Sequence, residues 1–266
     1  MNQTGGGNAI VRVATGLVLI PLALLLIFRG GRLVPLALGV ITAGVLWEYH
    51  RLLKVGGEVP RLPVLIAAGV GVQALTSLGN AEAAAAVVFA ALAVELGLSL
   101  LRFPATSLLR RAGALALGAV YVGYPLGLAE RLWAASPWLV AGGFMLIWAD
   151  DILAYFVGVN LGKHRLAPQV SPKKSLEGSL GGIAGAVIVA LLIRNRLGLG
   201  IPQAAVTGLA VAVAGQAGDL VESALKRESG VKDSGRLLPG HGGLLDRFDS
   251  SLLAFPVLYV LLRMLQ

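Results

Sequence analysis

The sequence predicts an all-α, polytopic integral membrane protein with about nine transmembrane helices, in a range of about eight to ten. Of its 266 residues, 56% are hydrophobic and only 14% are charged, and the mean hydropathy is +0.81. Soluble domains have about 45–50% apolar and about 25% charged residues, so this composition argues against a water-soluble globule. It also excludes a disordered chain, since disorder requires low hydrophobicity. The apolar residues are mostly small or aliphatic, which suits helices that pack against one another in lipid.

Nine apolar stretches account for the predicted helices, because a spanning helix needs about 20 mostly apolar residues. Two of them share residues 13–47, which Arg29-Gly30-Gly31-Arg32 interrupts. Two helices joined by a tight turn are expected there, and a re-entrant hairpin is the alternative. Strands are not expected, because the apolar runs are long and do not alternate with polar residues. The other seven helices are predicted at about 62–78, 81–101, 113–133, 137–158, 176–193, 201–220 and 251–265.

Lysine and arginine are concentrated in every second connection between the predicted helices. The connections at 48–61, 102–112, 159–175 and 226–250 contain 15 of them, whereas the other connections and their edges contain 5. Cytoplasmic loops of membrane proteins are enriched in Lys and Arg, so we expect these four connections on the cytoplasmic face of a bacterial inner or plasma membrane. The net charge of +8 then needs no nucleic-acid partner. The chain has no cysteine, which excludes disulfides and thiolate metal sites.

The first polar segment, 148–182, combines acidic residues, glycines and lysines after an apolar run. The spacing of Asp151, Tyr155 and Gly162 places them on one face if the helix continues. The turn 171–175 then precedes a helix that Ser175 can cap, and a helix N-terminus favours an anion. An ordinary positively charged cytoplasmic loop is the alternative. The candidate substrate-binding residues here are Asp150, Asp151, Tyr155, Gly162, Lys163, Ser171, Lys173 and Lys174.

The second polar segment, 215–251, carries a charged stripe that a purely structural helix in lipid would not need. Asp219, Glu222, Ser223 and Lys226 follow at i, i+3, i+4 and i+7 and therefore share a helix face. Asp246 and Asp249 share a second face at the start of the last helix. An ion-pair network that anchors a loop to the membrane is the alternative, but it would need fewer charges. The remaining candidates in this segment are Arg227, Lys232, Asp233, His241, Gly242, Gly243 and Arg247.

Carboxylates beside cations and glycines are typical of a Mg²⁺–phosphate site. Mg²⁺ is usually held by one or two carboxylates together with phosphate oxygens and water. Lysine and arginine neutralise the remaining phosphate charge, and glycine lets backbone N–H groups reach the phosphates. We therefore predict Mg²⁺ as cofactor and leave a second cation open. Asp219 and Asp246 are the leading ligands, one from each helix, with Asp249 as a third.

The second polar segment resembles the signature of the phosphatidate cytidylyltransferases, also called CDP-diacylglycerol synthases. The matching pattern is Ser223-x2-Lys226-Arg227-x4-Lys232-Asp233-x-Gly235-x2-Leu238-Pro239-Gly240-His241-Gly242-Gly243-x2-Asp246-Arg247-x-Asp249. The run from Asp151 to Gly178 resembles the other polar segment of that family, with Ser175 where threonine is more usual. Residues 1–135 resemble the family only in being hydrophobic. The chain therefore divides into transmembrane helices with a structural or dimerisation role at 1–135 and a catalytic region at 136–266.

The resemblance implies the reaction CTP + phosphatidate → CDP-diacylglycerol + pyrophosphate, through Mg²⁺-dependent attack of the lipid phosphate on the α-phosphorus of CTP. Four cations, Lys226, Arg227, Lys232 and Arg247, would hold the triphosphate and the lipid phosphate. Ser171, Lys173 and Lys174 would bind the second anion. His241 would bond a phosphate or shape its turn, and Asp150 and Asp151 would be outer metal ligands or partners of the cations. Asp233 joins the catalytic set, and Ser223, Gly242 and Gly243 join the substrate-binding set.

Two other functions fit parts of the pattern. A CTP-dependent polyprenol or lipid kinase is also polytopic and basic. An ion-coupled transporter would use Asp150, Asp151 and Asp219 as an ion path, but the charges are concentrated at one face and not at mid-membrane. The expected partners are CTP, phosphatidate and membrane lipids. Small residues on the helix faces are compatible with a homodimer.

Overall fold

A computed structural model describes residues 5–55, 57, 59–101, 107–235, 237 and 242–265, without the side chains of 5–16. These residues form long helices that run back and forth, with a small hairpin of two strands. Residues 108–135 form one continuous helix that contains a π-helical turn at Ala119–Gly123. The helices are α1 (Gly5–Arg29), α2 (Leu33–Val55), α3 (Leu62–Ser77), α4 (Ala81–Leu100), α5 (Leu108–Gly118), α6 (Tyr124–Ala135), α7 (Pro137–Leu161), α8 (Leu176–Leu197), α9 (Ile201–Glu228) and α10 (Leu245–Leu265).

The helices confirm an all-α membrane protein. Within the described residues, seven helices are long and apolar enough to cross a membrane, and Leu17–Arg29 and Leu62–Ser77 are shorter apolar helices. The ambiguous stretch 13–47 forms two helices joined by a tight turn, in which Gly31 has a φ of +48° that favours glycine. Several boundaries differ from the prediction, and the two largest differences are that α9 extends to Glu228 and that α10 begins at Leu245. Both extensions carry polar residues, which an apolar-run criterion leaves out.

The expectation that the chain lacks strands is wrong within the polar connection between α7 and α8. Strands β1 (Arg165–Ala167) and β2 (Ser171–Ser175) pair antiparallel, with Arg165 opposite Ser175 and Ala167 opposite Ser171. The expectation considered only apolar runs, whereas this hairpin is short and polar. Ser175 then caps α8 as predicted, because its side chain accepts a hydrogen bond from the backbone N–H of Gly178.

Two buried clusters form the main core, and α10 belongs to both of them. Phe255 and Leu258 of α10 pack in a cluster with residues of α7, α8 and α9. Leu245 and Leu252 of the same helix pack in a cluster with residues of α2, α3 and α6, including Leu46. At Gly218 the backbones of α9 and α10 lie so close that a Cβ would overlap the main-chain oxygen of Asp249. The polar stripes of α9 and α10 are therefore held side by side.

The described parts of the four connections rich in Lys and Arg lie at the same end of the helices. Arg227 Nε donates to the main-chain oxygen of Val170 at 3.3 Å, which joins the β1–β2 hairpin to the end of α9. Ser234 Oγ donates to Glu48 Oε2 of α2 at 3.1 Å. Arg110 lines a cavity of about 230 Å³ together with Tyr49 and Glu228. This common end is where the two predicted polar segments meet.

Candidate active site

The charged stripe of α9 forms as predicted and is stabilised within the helix. Lys226 Nζ lies 2.5 Å from Glu222 Oε2, one helical turn away, and Glu222 is fully buried. Ser223 Oγ donates to Asp219 Oδ1 at 3.2 Å. Because an isolated buried carboxylate is costly, the pairing with Lys226 explains how Glu222 can lie inside the protein.

Lys174 of β2 connects the first polar segment to this stripe. Its Nζ lies 2.5 Å from Asp219 Oδ2, and the side chains of Lys174 and Asp219 are 27% and 28% exposed. The neighbouring side chain of Lys173 is exposed, as is Lys163, and Ser171 is half-buried. The two segments that the sequence analysis treats separately are therefore joined by the Lys174–Asp219 ion pair.

Asp246 connects α9 to the start of α10 and to the chain between them. Its Oδ1 lies 2.7 Å from Lys226 Nζ, so one ammonium group forms ion pairs with both Glu222 and Asp246. The other Asp246 oxygen, Oδ2, accepts from the backbone N–H of Gly243 at 2.8 Å and of Ser234 at 3.2 Å. Gly242 has a φ of +81°, a left-handed conformation that favours glycine. Asp246 thus fixes both the Lys226 side chain and the backbone beside it.

Three further carboxylates approach the same place from α7 and α10. Asp150 is buried and its Oδ1 accepts from Gln216 Nε2 of α9 at 2.7 Å. Asp151 is exposed, and its charge interacts with those of Asp219, Lys174 and Arg247. Asp249 is half-buried, and its charge interacts with those of Asp151 and Asp219. The charges of Asp151, Asp219 and Asp249, which come from three helices, therefore act on one another.

The fit of these carboxylates to a divalent cation depends on how many ligands the protein must supply. Among the residues that the structure describes, no three His, Asp or Glu side chains are close enough to form a complete ligand set. Mg²⁺ does not need one, because it usually keeps several waters and takes one or two carboxylates plus substrate phosphates. Asp219 and Asp249 are two carboxylates whose charges act on each other, so their chemistry meets that requirement. Asp246 does so less well, since its Oδ2 accepts from two backbone N–H groups in addition to the Lys226 contact at Oδ1. Asp219 instead contacts the side chains of Ser223 and Lys174.

Several predicted residues lie at the edge of the cluster or serve the fold. Arg227 donates to main-chain oxygens of Val170 and Val231. Gly162 packs against Ser175, where a Cβ would lie 2.7 Å from the hydroxyl oxygen. Tyr155 is 66% exposed and packs edge-on against Phe156. His241 lies outside the described residues.

Lys232 and Asp233 lie beside a large cavity at the same end. The cavity has a volume of about 550 Å³ and is also lined by Arg51 and Val55 of α2. Arg51 is exposed, and its guanidinium stacks over the ring of Trp47 at 4.8 Å. Two cations therefore face an open cavity next to the charge cluster, which suits an anionic ligand.

Three polar residues at this end are absent from the predicted site. Gln216 bridges Asp150 and Ser179, whose hydroxyl donates to the Gln216 side-chain oxygen. Glu177 accepts hydrogen bonds from the backbone N–H groups of Lys163 and His164. Its side chain also contacts His164 Nδ1 at 2.6 Å. Glu48 lies in the N-terminal region and contacts the segment before α10. The sequence signal that could have identified Glu48 is a carboxylate directly at the end of the apolar run 33–47.

The fold and the site together define a polytopic membrane protein with a phosphate-compatible charge cluster at one end of its helices. A sequence model of the cytidylyltransferase family matches residues 10–265. The chain therefore belongs to the cytidylyltransferase family.

Curated relatives carry a more specific name. The phosphatidate cytidylyltransferase of Bacillus subtilis (strain 168) is 52% identical over 120 residues, which is 44% of this chain and 45% of the relative. Those of Staphylococcus epidermidis (strain RP62A) and Staphylococcus aureus (strain COL) are both 46% identical over 121 residues, 45% of this chain and 46% of each relative. The aligned part thus spans a little less than half the length of these relatives.

Proposed function

We propose that the protein is a phosphatidate cytidylyltransferase, which converts CTP and phosphatidate into CDP-diacylglycerol and pyrophosphate. The observation that supports this most directly is the linked set Lys174–Asp219 and Lys226–Asp246, which joins both polar segments at one end of the membrane helices. Membership of the cytidylyltransferase family supports transfer of a cytidylyl group. The names of the relatives support phosphatidate as the acceptor.

The reaction needs positioning and charge stabilisation more than a strong base. A phosphate oxygen of phosphatidate attacks the α-phosphorus of CTP in line, the bond to the bridging oxygen breaks, and pyrophosphate leaves. The attacking oxygen is already ionised at neutral pH, because the second pKa of a phosphate monoester is about 6. Lys174 and Lys226 would hold phosphate oxygens by exchanging part of their contact with carboxylates. Lys232 and Arg51 would stabilise the triphosphate from the neighbouring cavity.

Mg²⁺ fits the donor set and forms part of the proposal. Asp219 and Asp249 would hold it, with Asp151 near enough for its charge to contribute. When bound, Mg²⁺ would neutralise charge on the triphosphate and so favour nucleophilic attack. A second cation stays open, and Asp246, predicted as a metal ligand, would act through the groups that it positions.

The membrane supplies a route for the lipid substrate. Ile152 and Phe156, which follow Asp151 on α7, are 54% and 56% exposed. Acyl chains lying along this apolar surface would bring a lipid phosphate to the charge cluster. We place this end of the helices on the cytoplasmic face of a bacterial membrane, because the Lys- and Arg-rich connections lie there.

The activity is tested with protein purified in detergent and given CTP, Mg²⁺ and phosphatidate. Formation of CDP-diacylglycerol with equimolar pyrophosphate is the expected result. Release of CDP with phosphorylation of the lipid would identify a kinase instead. Formation of neither product would leave a transporter as the better function.

The orientation is tested by labelling a single cysteine at Pro168→Cys in the β1–β2 turn, in a chain that has no other cysteine. Labelling by a membrane-impermeant maleimide is expected in inverted vesicles and not in intact cells. The opposite pattern would place the site on the outer face.

A further inference from the structure

Glu48 of α2 is a fully buried carboxylate that reaches across the molecule to the segment before α10. Its Oε2 accepts from Ser234 Oγ at 3.1 Å and from the backbone N–H of Leu245 at 2.8 Å. These partners lie far along the chain, in the catalytic region. A buried carboxylate is costly unless its oxygens are hydrogen-bonded, so these contacts stabilise Glu48 in the interior.

Two glycines make room for this carboxylate. A Cβ at Gly235 would overlap Glu48 Oε1, and a Cβ at Gly243 would lie 2.5 Å from Oε2. Ser234 and Gly235 begin the segment, whereas Gly243 and Leu245 end it. Glu48 therefore contacts both ends of the segment that runs from 234 to 245.

The same two ends hold Asp246 in place. The backbone N–H groups of Ser234 and Gly243 donate to Asp246, and Asp246 in turn contacts Lys226 Nζ at 2.7 Å. A shift of either end by a fraction of an ångström would therefore change the position of the Lys226–Asp246 pair. Catalysis by positioned charges is sensitive to shifts of that size.

We propose that Glu48 is a positioning residue for the described ends of the 234–245 segment, 234–235 and 243–245, and, through them, for the Lys226–Asp246 pair. It acts by accepting two hydrogen bonds with one oxygen and not by touching substrate. The effect on turnover rests on the proposed function, whereas the effect on the segment does not. The N-terminal region thereby contributes directly to the geometry of the site.

Two substitutions of Glu48 distinguish the contribution of its hydrogen bonds from the contribution of its side-chain volume. Glu48→Gln keeps a side-chain oxygen that can accept from Ser234 and Leu245, whereas Glu48→Leu fills similar space without an acceptor. Glu95→Leu is the matched control, because Glu95 is an equally buried glutamate of the N-terminal region that contacts Arg61 and Ser99 of the α3–α4 end. Ser234→Ala removes one donor and is a milder variant if Glu48→Leu does not fold.

The kinetic readout is the separation of kcat from KM. Glu48→Leu is expected to lower kcat at least about 10-fold with KM changed less than about 3-fold, and Ser234→Ala to lower kcat by a smaller factor. Glu48→Gln should restore kcat to within about 3-fold of the unsubstituted protein. Equal kcat losses in Glu48→Leu and Glu95→Leu variants of matched thermal stability would overturn the proposal. A Gln variant as inactive as the Leu variant would also overturn it.

A readout without substrate tests the segment itself. Leu237 is 46% exposed within the segment, so Leu237→Cys supplies the single cysteine of the chain. Its maleimide labelling rate is expected to rise several-fold with Glu48→Leu or Ser234→Ala and to stay unchanged with Glu95→Leu. Unchanged rates in all three would overturn the proposal. If the unsubstituted protein made no CDP-diacylglycerol, the proposed function would fail while this labelling still decided the role of Glu48.

Discussion

The Arg61–Glu95 pair and the Lys226–Asp246 pair differ in how completely their charges are satisfied. Arg61 contacts Glu95 Oε1 at 2.9 Å, donates its backbone N–H to Oε2 at 3.1 Å, and also donates to the main-chain oxygen of Leu98. Lys226 instead divides one ammonium group between Asp246 and Glu222. Both pairs join consecutive helices, but Arg61 contacts a single carboxylate, whereas Lys226 is shared between two.

The chemistry of the two cations explains the difference. Arginine has a planar fork with fixed donor directions, which suits a permanent structural contact. Lysine is a compact charge on a flexible stem and can exchange a carboxylate for a phosphate oxygen without losing its geometry. Lys174 and Asp219, each about one-quarter exposed, are also open to solvent and ligand. The comparison predicts that substitutions in the site reduce activity, whereas substitutions at Arg61 reduce stability.

Asp219→Asn should have the largest effect on activity. The substitution keeps the shape of the side chain but removes the charge that faces Lys174 and the proposed Mg²⁺. A loss of about 10²–10³-fold in kcat is expected, as for other preorganised electrostatic groups. CDP-diacylglycerol formation measures the loss, and an unchanged melting temperature in detergent is the control. Turnover close to that of the unsubstituted protein would remove Asp219 from the site.

Asp246→Asn should have a somewhat smaller effect and distinguishes a metal ligand from a positioning group. A loss of about 10²-fold in kcat is expected, because displaced hydrogen bonds shift Lys226 and the backbone at Ser234. Titration with Mg²⁺ gives the distinction. Asp219→Asn should raise the half-saturating Mg²⁺ concentration, whereas Asp246→Asn should leave it unchanged. A rise for Asp246→Asn would support the metal-ligand role that the sequence predicts.

Lys174→Gln should have a moderate effect, because the Lys174–Asp219 pair is partly solvated. A decrease of about 10-fold in kcat/KM is expected, which corresponds to about 1.4 kcal/mol. Arg165→Gln is the control, since Arg165 is an exposed cation of the same hairpin in β1. Equal effects of the two substitutions would mean that the hairpin attracts anions only through its overall charge.

The parts of the site that sequence analysis could predict are those with a local pattern. The stripe on α9 follows from helical spacing, and the cap at Ser175 follows from residue type next to an apolar run. The β1–β2 hairpin could not be predicted from apolar periodicity, because its strands are polar. The contact of Glu48 with Ser234 depends on how α2 packs against α10, a non-local property. Which carboxylates pair with Lys174 and which pair with Lys226 depends on side-chain conformation, and the spacing of residues in the sequence does not specify it.

Arg61→Met should have the smallest effect on activity and the clearest effect on stability. It leaves the Glu95 carboxylate buried without its cation, and removal of one partner of a buried ion pair costs about 3–5 kcal/mol. The cost here should lie at the lower end, because the Arg61 side chain is 25% exposed. A lower melting temperature in detergent is therefore expected, with kcat and both KM values unchanged below that temperature. A fall in kcat at temperatures where the variant is fully folded would contradict the comparison, because it would connect the α3–α4 pair to the site.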